Sequence, residues 1–258
     1  MMELTVTPMT FLIVCPFLFL AGFVDSIAGG GGLISLPAYL FAGLPVHFAL
    51  GTNKFSSTCG SSVATIRYAR KGLIPLKLAV PSAAAAFAGS TIGAHISLML
   101  EEKVLLTLML VILPAVAFIV LNRNIMRDIG KENERITGRT YLISAAAALV
   151  IGMYDGLYGP GTGTFLIIAL TVFAKLALQT AQGMTKAINL TSNVAALIIF
   201  LMNGQVVIPV AAAAALCNMA GNWCGSGMAM AKGASVVRPV MILVLILLFL
   251  KVATELFL

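Results

Sequence analysis

Hydrophobic residues along the chain form long continuous runs that are separated by short polar connections. Runs of about twenty apolar residues are long enough to cross a bilayer as helices. They centre near Phe11, Ala83, Leu106, Ala145, Ile198, Ala212 and Leu245. The alternation of apolar and polar residues that marks membrane β-barrels does not occur in this sequence. The pattern therefore predicts an all-α polytopic membrane protein.

Two glycine-rich breaks interrupt the apolar pattern, one in each half of the chain. Residues 25–54 read DSIAGGGGLISLPAYLFAGLPVHFALGTNK, and residues 155–186 read DGLYGPGTGTFLIIALTVFAKLALQTAQGMTK. Both stretches begin with an aspartate and end with a lysine. Consecutive glycines cost too much backbone entropy to continue a helix cheaply, so each stretch predicts a helix that stops inside the membrane and then restarts. Such a break is tolerated only where it faces protein or a watery cavity.

The predicted helices divide the chain into two similar halves. They cover residues 10–27, 33–41, 46–68, 74–99 and 104–121, and then residues 140–157, 164–173, 176–202, 206–231 and 236–257. We predict a first transmembrane repeat over residues 1–121, a cytoplasmic linker loop over residues 122–139 and a second transmembrane repeat over residues 140–258. Residues in the two halves correspond at one common offset: Gly51, Lys54, Gly72, Gly89 and Gly93 match Gly183, Lys186, Gly204, Gly221 and Gly225.

Composition agrees with a membrane location. The chain is 60% hydrophobic and only 10% charged, with a mean hydropathy of +1.05. A soluble domain carries roughly a quarter charged residues, so this composition excludes a separate soluble domain. The net charge of +7 falls mainly in the connections between apolar runs. This distribution indicates a topology signal and not a nucleic-acid partner.

The basic residues also predict how the two halves are oriented. By the positive-inside rule, the connection from Arg67 to Lys77 and the loop over residues 122–139 are cytoplasmic, and the turn at Glu101 is external. If each break forms a re-entrant hairpin, each half consists of a hairpin plus three spanning helices, and the two halves have inverted topology. In the alternative, a parallel repeat, each broken helix is a single span. That alternative would place Lys175, Lys232 and Arg238 outside the cell.

Four charged residues lie where a bilayer disfavours them. A charge at the centre of a membrane costs at least about 2.5 to 3.5 kcal/mol, so it marks a site or a buried pair. Lys54 and Lys186 lie near the middle of their predicted helices, and Asp25 and Asp155 each precede a break by four residues. The lysines are predicted counter-charges for an anion. The aspartates either pair with the lysines, hydrogen-bond to nearby backbone or carry a coupling proton.

The breaks themselves add a second kind of anion chemistry. The first N–H groups of a helix have no partner within that helix, and its dipole favours anions. Polar residues near the two lysines add hydroxyl and amide groups, for which helix packing is the competing explanation. The predicted substrate-binding residues are Gly29, Gly30, Gly31, Gly32, Thr52, Asn53, Lys54, Ser57, Gly159, Gly161, Thr162, Gly163, Lys186, Asn189 and Asn193.

Other features receive structural interpretations. The spacings Gly89-x-x-x-Gly93 and Gly221-x-x-x-Gly225 are typical of surfaces for close helix packing. The cysteines at positions 15, 59, 217 and 224 lie in apolar segments without a CxxC pair or an adjacent histidine. We therefore predict no metal site and no cofactor. The sequence leaves the oligomeric state open, with a homodimer as one alternative.

Several motifs in order resemble one known family. They are GFVDSIAGGGGLISLPAYLFAGLPVHFALGTNK from Gly22, GLIP from Gly72, GLYGPGTGTF from Gly156 and AxGxxKxxNLxSN from Ala181. Together they resemble the TauE/SafE family of sulfite exporters over essentially the whole chain. The resemblance implies a polytopic inner-membrane transporter of small sulfur-containing anions, such as sulfite or organosulfonates like sulfoacetate. It does not identify which anion this member carries.

The leading expectation is a secondary transporter that exports such an anion by alternating access. An anion channel with the same site and an importer of a related small anion are the alternatives within membrane transport. A further alternative, of another class, is a membrane enzyme or sulfur-relay subunit that acts through Cys59 or Cys217. The expected partners are a small anionic substrate and membrane lipid.

Overall fold

A computed structural model describes residues 7–101, 103–105, 107 and 136–232. Every regular element in these ranges is helical, as predicted. In the first half the helices are α1 (Pro8–Ala28), α2 (Gly32–Phe41), α3 (Val46–Arg70) and α4 (Leu76–Met99). In the second half they are α5 (Gly138–Leu157), α6 (Thr162–Ile168), a π-helical turn (Ala169–Phe173), α7 (Leu178–Met202) and α8 (Ile208–Lys232). The predicted spans 104–121 and 236–257 and the linker 122–139 lie wholly or mostly outside the described residues.

Helix length and composition agree with a membrane-spanning bundle. Among the described residues, α1, α5 and α7 are both long enough and apolar enough to cross a bilayer. Helices α3, α4 and α8 have 25, 24 and 25 residues, which at 1.5 Å per residue also matches the hydrocarbon thickness of about 30 Å. Helix α2 has 10 residues and reaches only about 15 Å, so it is too short to cross the bilayer alone.

Glycines in left-handed conformations end the first helix and begin the sixth. Gly29 follows α1 with φ of 76°, and its N–H donates to the carbonyl of Asp25. Gly161 precedes α6 with φ of 84°. Glycine adopts this region without steric cost, whereas other residues are strained there. The two breaks predicted from clustered glycines are therefore confirmed, each within one or two residues of the expected position.

Close packing of small residues joins the two halves. Helix α1 packs mainly on α8, and α4 packs mainly on α5. A Cβ at Gly221 would overlap the carbonyl of Phe19, and a Cβ at Gly89 would overlap the carbonyl of Leu149. The Gly-x-x-x-Gly segments of α4 and α8 therefore form surfaces on which two helix backbones come into contact. The packing role predicted for them is confirmed.

Helices α3 and α7 run antiparallel through the middle of the bundle. Gly51 near the start of α3 lies against Gln205, just beyond the end of α7. Gly183 near the start of α7 lies against Leu73, just beyond the end of α3. Helix α3 follows the first break and its short helix, and α7 follows the second break and its short helix. Because these corresponding helices run in opposite directions, the contacts support the inverted arrangement. The inverted membrane topology and the repeat boundaries stay predictions.

Candidate functional site

The two helix breaks are in direct contact at the centre of the bundle. Gly29 of the first break lies so close to Gly163 that neither residue has room for a Cβ. The hydroxyl of Thr164 donates to the carbonyl of Ala28 at 2.7 Å. Residues about 130 positions apart in the sequence thus form one junction. Any site built from the breaks includes residues of both halves.

Two buried ion pairs cross between the halves at this junction. Lys54 Nζ lies 3.0 Å from Asp155 Oδ2, and Lys186 Nζ lies 2.6 Å from Asp25 Oδ2. Both lysines are only 1% exposed. Of the roles left open for the aspartates, pairing with the lysines is the one observed. Each pair joins a cation of one half to an anion of the other, so both pairs depend on the two halves being docked.

The pair formed by Lys54 has hydrogen-bond partners on both of its residues. Asp155 accepts from the hydroxyl of Thr162 at 2.9 Å and from the hydroxyl of Ser192 at 2.6 Å. Lys54 also donates to Asn193 Oδ1 at 3.2 Å. A buried ion pair offsets its desolvation only when its remaining donors and acceptors are satisfied. The carboxylate of Asp155 meets that condition, and Lys54 has one amide partner, Asn193, besides its carboxylate.

The pair formed by Lys186 has different surroundings. Its Nζ donates both to the carboxylate and to the main-chain carbonyl of Asp25, each at 2.6 Å. The side chain of Asp25 is 17% exposed, against 4% for Asp155. Lys186 is therefore bound twice to the end of α1. The two pairs match in residue type but differ in how tightly the lysine is held.

A small polar cavity lies beside the junction, with a volume of about 20 Å³. Most of the residues predicted to bind substrate, and both aspartates, line it. They are Asp25, Gly29, Gly31, Gly32, Asn53, Lys54, Ser57, Asp155, Gly159, Thr162, Gly163, Asn189 and Asn193. Polar side chains from α3, α5 and α7 therefore converge with both breaks on one space.

Four residues of the predicted set do not line this cavity: Gly30, Thr52, Gly161 and Lys186. The hydroxyl of Thr52 accepts from the N–H of Val207 at 3.1 Å, which is a contact between helix ends. The structure therefore places one of the two predicted cations in the cavity wall and the other beside it. Substrate binding by any of these residues stays a prediction.

Sequence reasoning missed Asn218 of α8, which also lines the cavity. Its side chain is buried and accepts from Asn222 Nδ2 at 2.8 Å. Its close approach to α3 occurs at Gly60, where a Cβ would overlap the amide oxygen of Asn218. The available signal was a pair of asparagines four residues apart within an alanine-rich run. That spacing places both on one helical face.

Metal and thiol chemistry find no support among the described residues. Residues 7–101 and 136–232 contain no group of three or more His, Cys, Asp or Glu side chains that could hold a metal ion. The four cysteines are free thiols, and none of them lines the polar cavity. The cavity is thus lined by amides, hydroxyls, glycine backbone, the ion pair of Lys54 with Asp155 and the carboxylate of Asp25.

Interrupted helices, buried charges and an all-helical bundle together define a polytopic membrane transporter. The family model of the sulfite exporter TauE/SafE matches residues 14–252, and the chain belongs to this family. It is a membrane transporter, not an enzyme, and a multi-pass protein of the cell inner membrane.

Bacterial relatives carry names of the same kind. The probable membrane transporter protein ORF9 of Sinorhizobium sp is 36% identical over 255 residues, covering 99% of this chain and 96% of the relative. The probable membrane transporter protein YfcA of Escherichia coli strain K12 is 32% identical over 227 residues, covering 87% of this chain and 82% of the relative. A probable membrane transporter protein of Haemophilus influenzae is 30% identical, covering 92% of each chain. No solved structure gives a significant match.

Proposed function

We propose that the protein is a secondary transporter that exports a small sulfur-containing anion, with sulfite as the first candidate, by alternating access. The observation that carries this proposal is the polar cavity where both helix breaks meet beside Lys54. Such midplane junctions of interrupted helices are where secondary transporters bind their substrates. Membrane lipid is the only other partner that the proposal requires.

The groups around the cavity suit an oxyanion. Lys54 supplies a positive charge, and Asn189 and Asn193 supply amides. The two carboxylates that also line the cavity are held in ion pairs, Asp155 by Lys54 and Asp25 by Lys186. Helix α2 begins at Gly32, and its dipole favours negative charge at this end. The N–H groups of Leu33 and Ile34 donate to the carbonyls of Gly30 and Gly31, so an anion would interact with the dipole and with the glycines of the break. Glycine at the breaks lets an anion approach this backbone closely. An oxyanion with three or four acceptor oxygens would use several of these donors at once.

Cavity size favours a compact anion over a long one. The volume is about 20 Å³, and a single water molecule needs about 10 to 15 Å³ by the same measure. The cavity as observed therefore holds about one or two water molecules. Sulfite, with four non-hydrogen atoms, requires it to widen, and sulfoacetate, with its added carboxymethyl group, requires it to widen further. We therefore expect sulfite to compete more strongly than the organosulfonates.

The ion pair gives binding a direct route to a conformational change. An anion in the cavity competes with Asp155 for the ammonium group of Lys54. Asp155 retains two hydroxyl donors, from Thr162 and Ser192, so its charge stays solvated by the protein when the lysine turns toward substrate. Because this pair joins the two halves, weakening it lowers the cost of rocking one half against the other.

The membrane potential and the family name support export. An inside-negative potential drives an anion outward by about 2.3 kcal/mol per charge per 100 mV. The family name is that of an exporter. An importer of a related anion would need a coupling ion to overcome the same potential.

Counterflow in proteoliposomes tests the proposal against the channel alternative. We expect purified protein in phosphatidylcholine vesicles loaded with sulfite to accumulate labelled sulfite, with a saturable rate. A channel would give current without counterflow and a rate that does not saturate in the same range. Competition by thiosulfate, sulfoacetate, sulfolactate and simple carboxylates then ranks the substrates.

Replacement of all four cysteines by Ala or Ser is expected to leave sulfite counterflow unchanged, because no cysteine lines the polar cavity. The measurement is the initial rate in the same vesicles, normalised to the amount of folded protein. A rate reduced tenfold or more by the replacement of Cys59 or Cys217 alone would instead favour thiol chemistry.

A further inference from the structure

A second cavity lies at one end of the bundle, between the end of α3, the end of α8 and the first turn of α7. Its volume is about 400 Å³, far larger than that of the inner cavity. Arg67, Lys71 and Gln179 are its polar wall, and the other lining residues are glycine or apolar. No acidic residue is among the described residues that line it, so its field is positive. We call it the outer pocket, because it lies at an end of the bundle and not at its centre.

The guanidinium of Arg67 is held rigidly in the wall of this pocket. It stacks over the ring of Trp223 at 4.3 Å, and its Nη1 donates to the carbonyl of Trp223 and to Ser226 Oγ. A Cβ at Gly227 would lie 2.9 Å from Nη2, so glycine provides the space that the guanidinium occupies. Arginine has five N–H donors, and these contacts use Nη1 alone. The remaining donors are preorganised for an oxyanion.

A line of polar side chains runs along α7 from the outer pocket to the inner cavity. Gln179 lines the pocket, Gln182 and Thr185 follow, and Asn189 lines the inner cavity. These spacings place the four residues on one side of the helix. Ten residues of helix cover about 15 Å. The line therefore connects the two cavities within the bundle.

The two middle residues of this line have buried polar atoms without partners. Gln182 is 1% exposed and Thr185 is fully buried. Gln182 Nε2 donates to the carbonyl of Ile27, beside the first break. Within the described part of the chain, nothing bonds Gln182 Oε1 or Thr185 Oγ1. Leaving a buried hydroxyl unpaired costs about 1 to 3 kcal/mol, and the hydroxyl of Thr185 can donate to an oxyanion. Gln182 Oε1 is an acceptor, so Thr185 is the residue of this pair that can bind the anion.

We propose that the outer pocket is a loading site for an oxyanion and that the polar line of α7 is its route to the inner cavity. This inference rests on the proposed function. The basic end of the bundle is cytoplasmic by the positive-inside rule, which is the correct side for loading an exporter. A positive cleft raises the local concentration and the arrival rate of an anion. The phosphate of an anionic lipid has the same chemistry, and the experiment below separates the two sources.

Binding to the outer pocket has its own optical signal, because Trp223 is the single tryptophan of the chain and it stacks on Arg67. We expect sodium sulfite to change Trp223 fluorescence saturably in phosphatidylcholine vesicles, relative to sodium chloride at equal ionic strength. Lys71→Glu should weaken this binding about tenfold, with a smaller effect at high salt because the charge is screened. Lys77→Glu is the matched control. It makes the same charge change on an exposed residue near the same end of the bundle, outside the pocket lining.

Flux measurements then test the route. Lys71→Glu should raise KM about tenfold for sulfite supplied on the basic side of the vesicle, with the maximal rate in that direction unchanged. Thr185→Val should lower flux several-fold without destabilising the protein, because the lost hydroxyl has no partner in the fold. A merely structural Thr185 would leave flux unchanged.

The outcomes separate this inference from the function on which it rests. Absence of sulfite counterflow in the wild-type protein would refute sulfite transport, while the fluorescence titration would still report on the pocket. Equal fluorescence responses in Lys71→Glu and Lys77→Glu would overturn the loading site. A Lys71 effect seen only when the vesicles contain phosphatidylglycerol would assign the pocket to a lipid phosphate and overturn the route for a free anion.

Discussion

Removing the charge of Lys54 alone is expected to abolish sulfite counterflow and to destabilise the protein by about 3 to 5 kcal/mol, because it leaves a buried carboxylate without its cation. Lys54→Gln is the variant to use, since glutamine retains a polar end that can reach Asn193. The measurements are the counterflow rate in vesicles and the thermal midpoint in detergent. A loss of counterflow together with a lower thermal midpoint is expected whether Lys54 binds substrate or only stabilises the fold.

A double variant separates these two roles. Lys54→Gln combined with Asp155→Asn removes both charges, and the introduced asparagine can still bond Thr162 and Ser192. We expect the thermal midpoint to recover most of the loss, because a pair of neutral partners can replace a buried ion pair at little net cost. Counterflow should stay abolished, because an anion in the cavity would no longer meet a cation. Counterflow restored to the wild-type rate would exclude Lys54 as the counter-charge.

The second ion pair provides the matched control. Lys186 lies outside the cavity lining and is bound to both the carboxylate and the carbonyl of Asp25. The double variant Lys186→Gln with Asp25→Asn changes one lining residue, Asp25, but keeps Lys54 as the cation of the cavity. It is therefore expected to keep measurable flux. Equal loss of flux in the two double variants would mean that both pairs act in the conformational cycle and that neither lysine is specific for substrate.

Helix positions could be predicted from the sequence because they depend on local properties. Long apolar runs require helices in a bilayer, and clustered glycines at positions 29–32 and 159–163 end them. The described helices accordingly begin and end within a few residues of their predicted bounds. The π-helical turn at Ala169–Phe173 was not predicted, because the apolar pattern there continues without a break.

Pairing between the halves could not be predicted in the same way. The sequence shows two aspartates and two lysines, but not whether Asp25 meets Lys54 of its own half or Lys186 of the other. The antiparallel packing of α3 and α7 decides this, and it is a tertiary property. Asn218 was missed for a related reason, since a polar residue in an alanine-rich helix shows its function only when Gly60 of α3 lies beside it.

Adding one methyl group at Gly163 is expected to have an effect as large as neutralising Lys54. Gly163 lies within α6, where alanine is intrinsically favoured over glycine by about 1 kcal/mol. Its Cβ, however, would overlap the backbone of Gly29 in the other half. Backbone atoms cannot move aside by changing rotamer, so the two breaks must separate. Overpacking of this kind costs about 1 to 3 kcal/mol or more.

Gly163→Ala should therefore lower the thermal midpoint and abolish counterflow, because the cavity is formed by the contact between the breaks. Gly138→Ala is the matched control, since Gly138 begins α5 and a Cβ there would meet nothing within 4 Å. The control should keep its flux and gain slightly in stability from helix propensity. Wild-type counterflow in Gly163→Ala would show that the junction need not be close for transport, and the site would then have to be sought away from the two breaks.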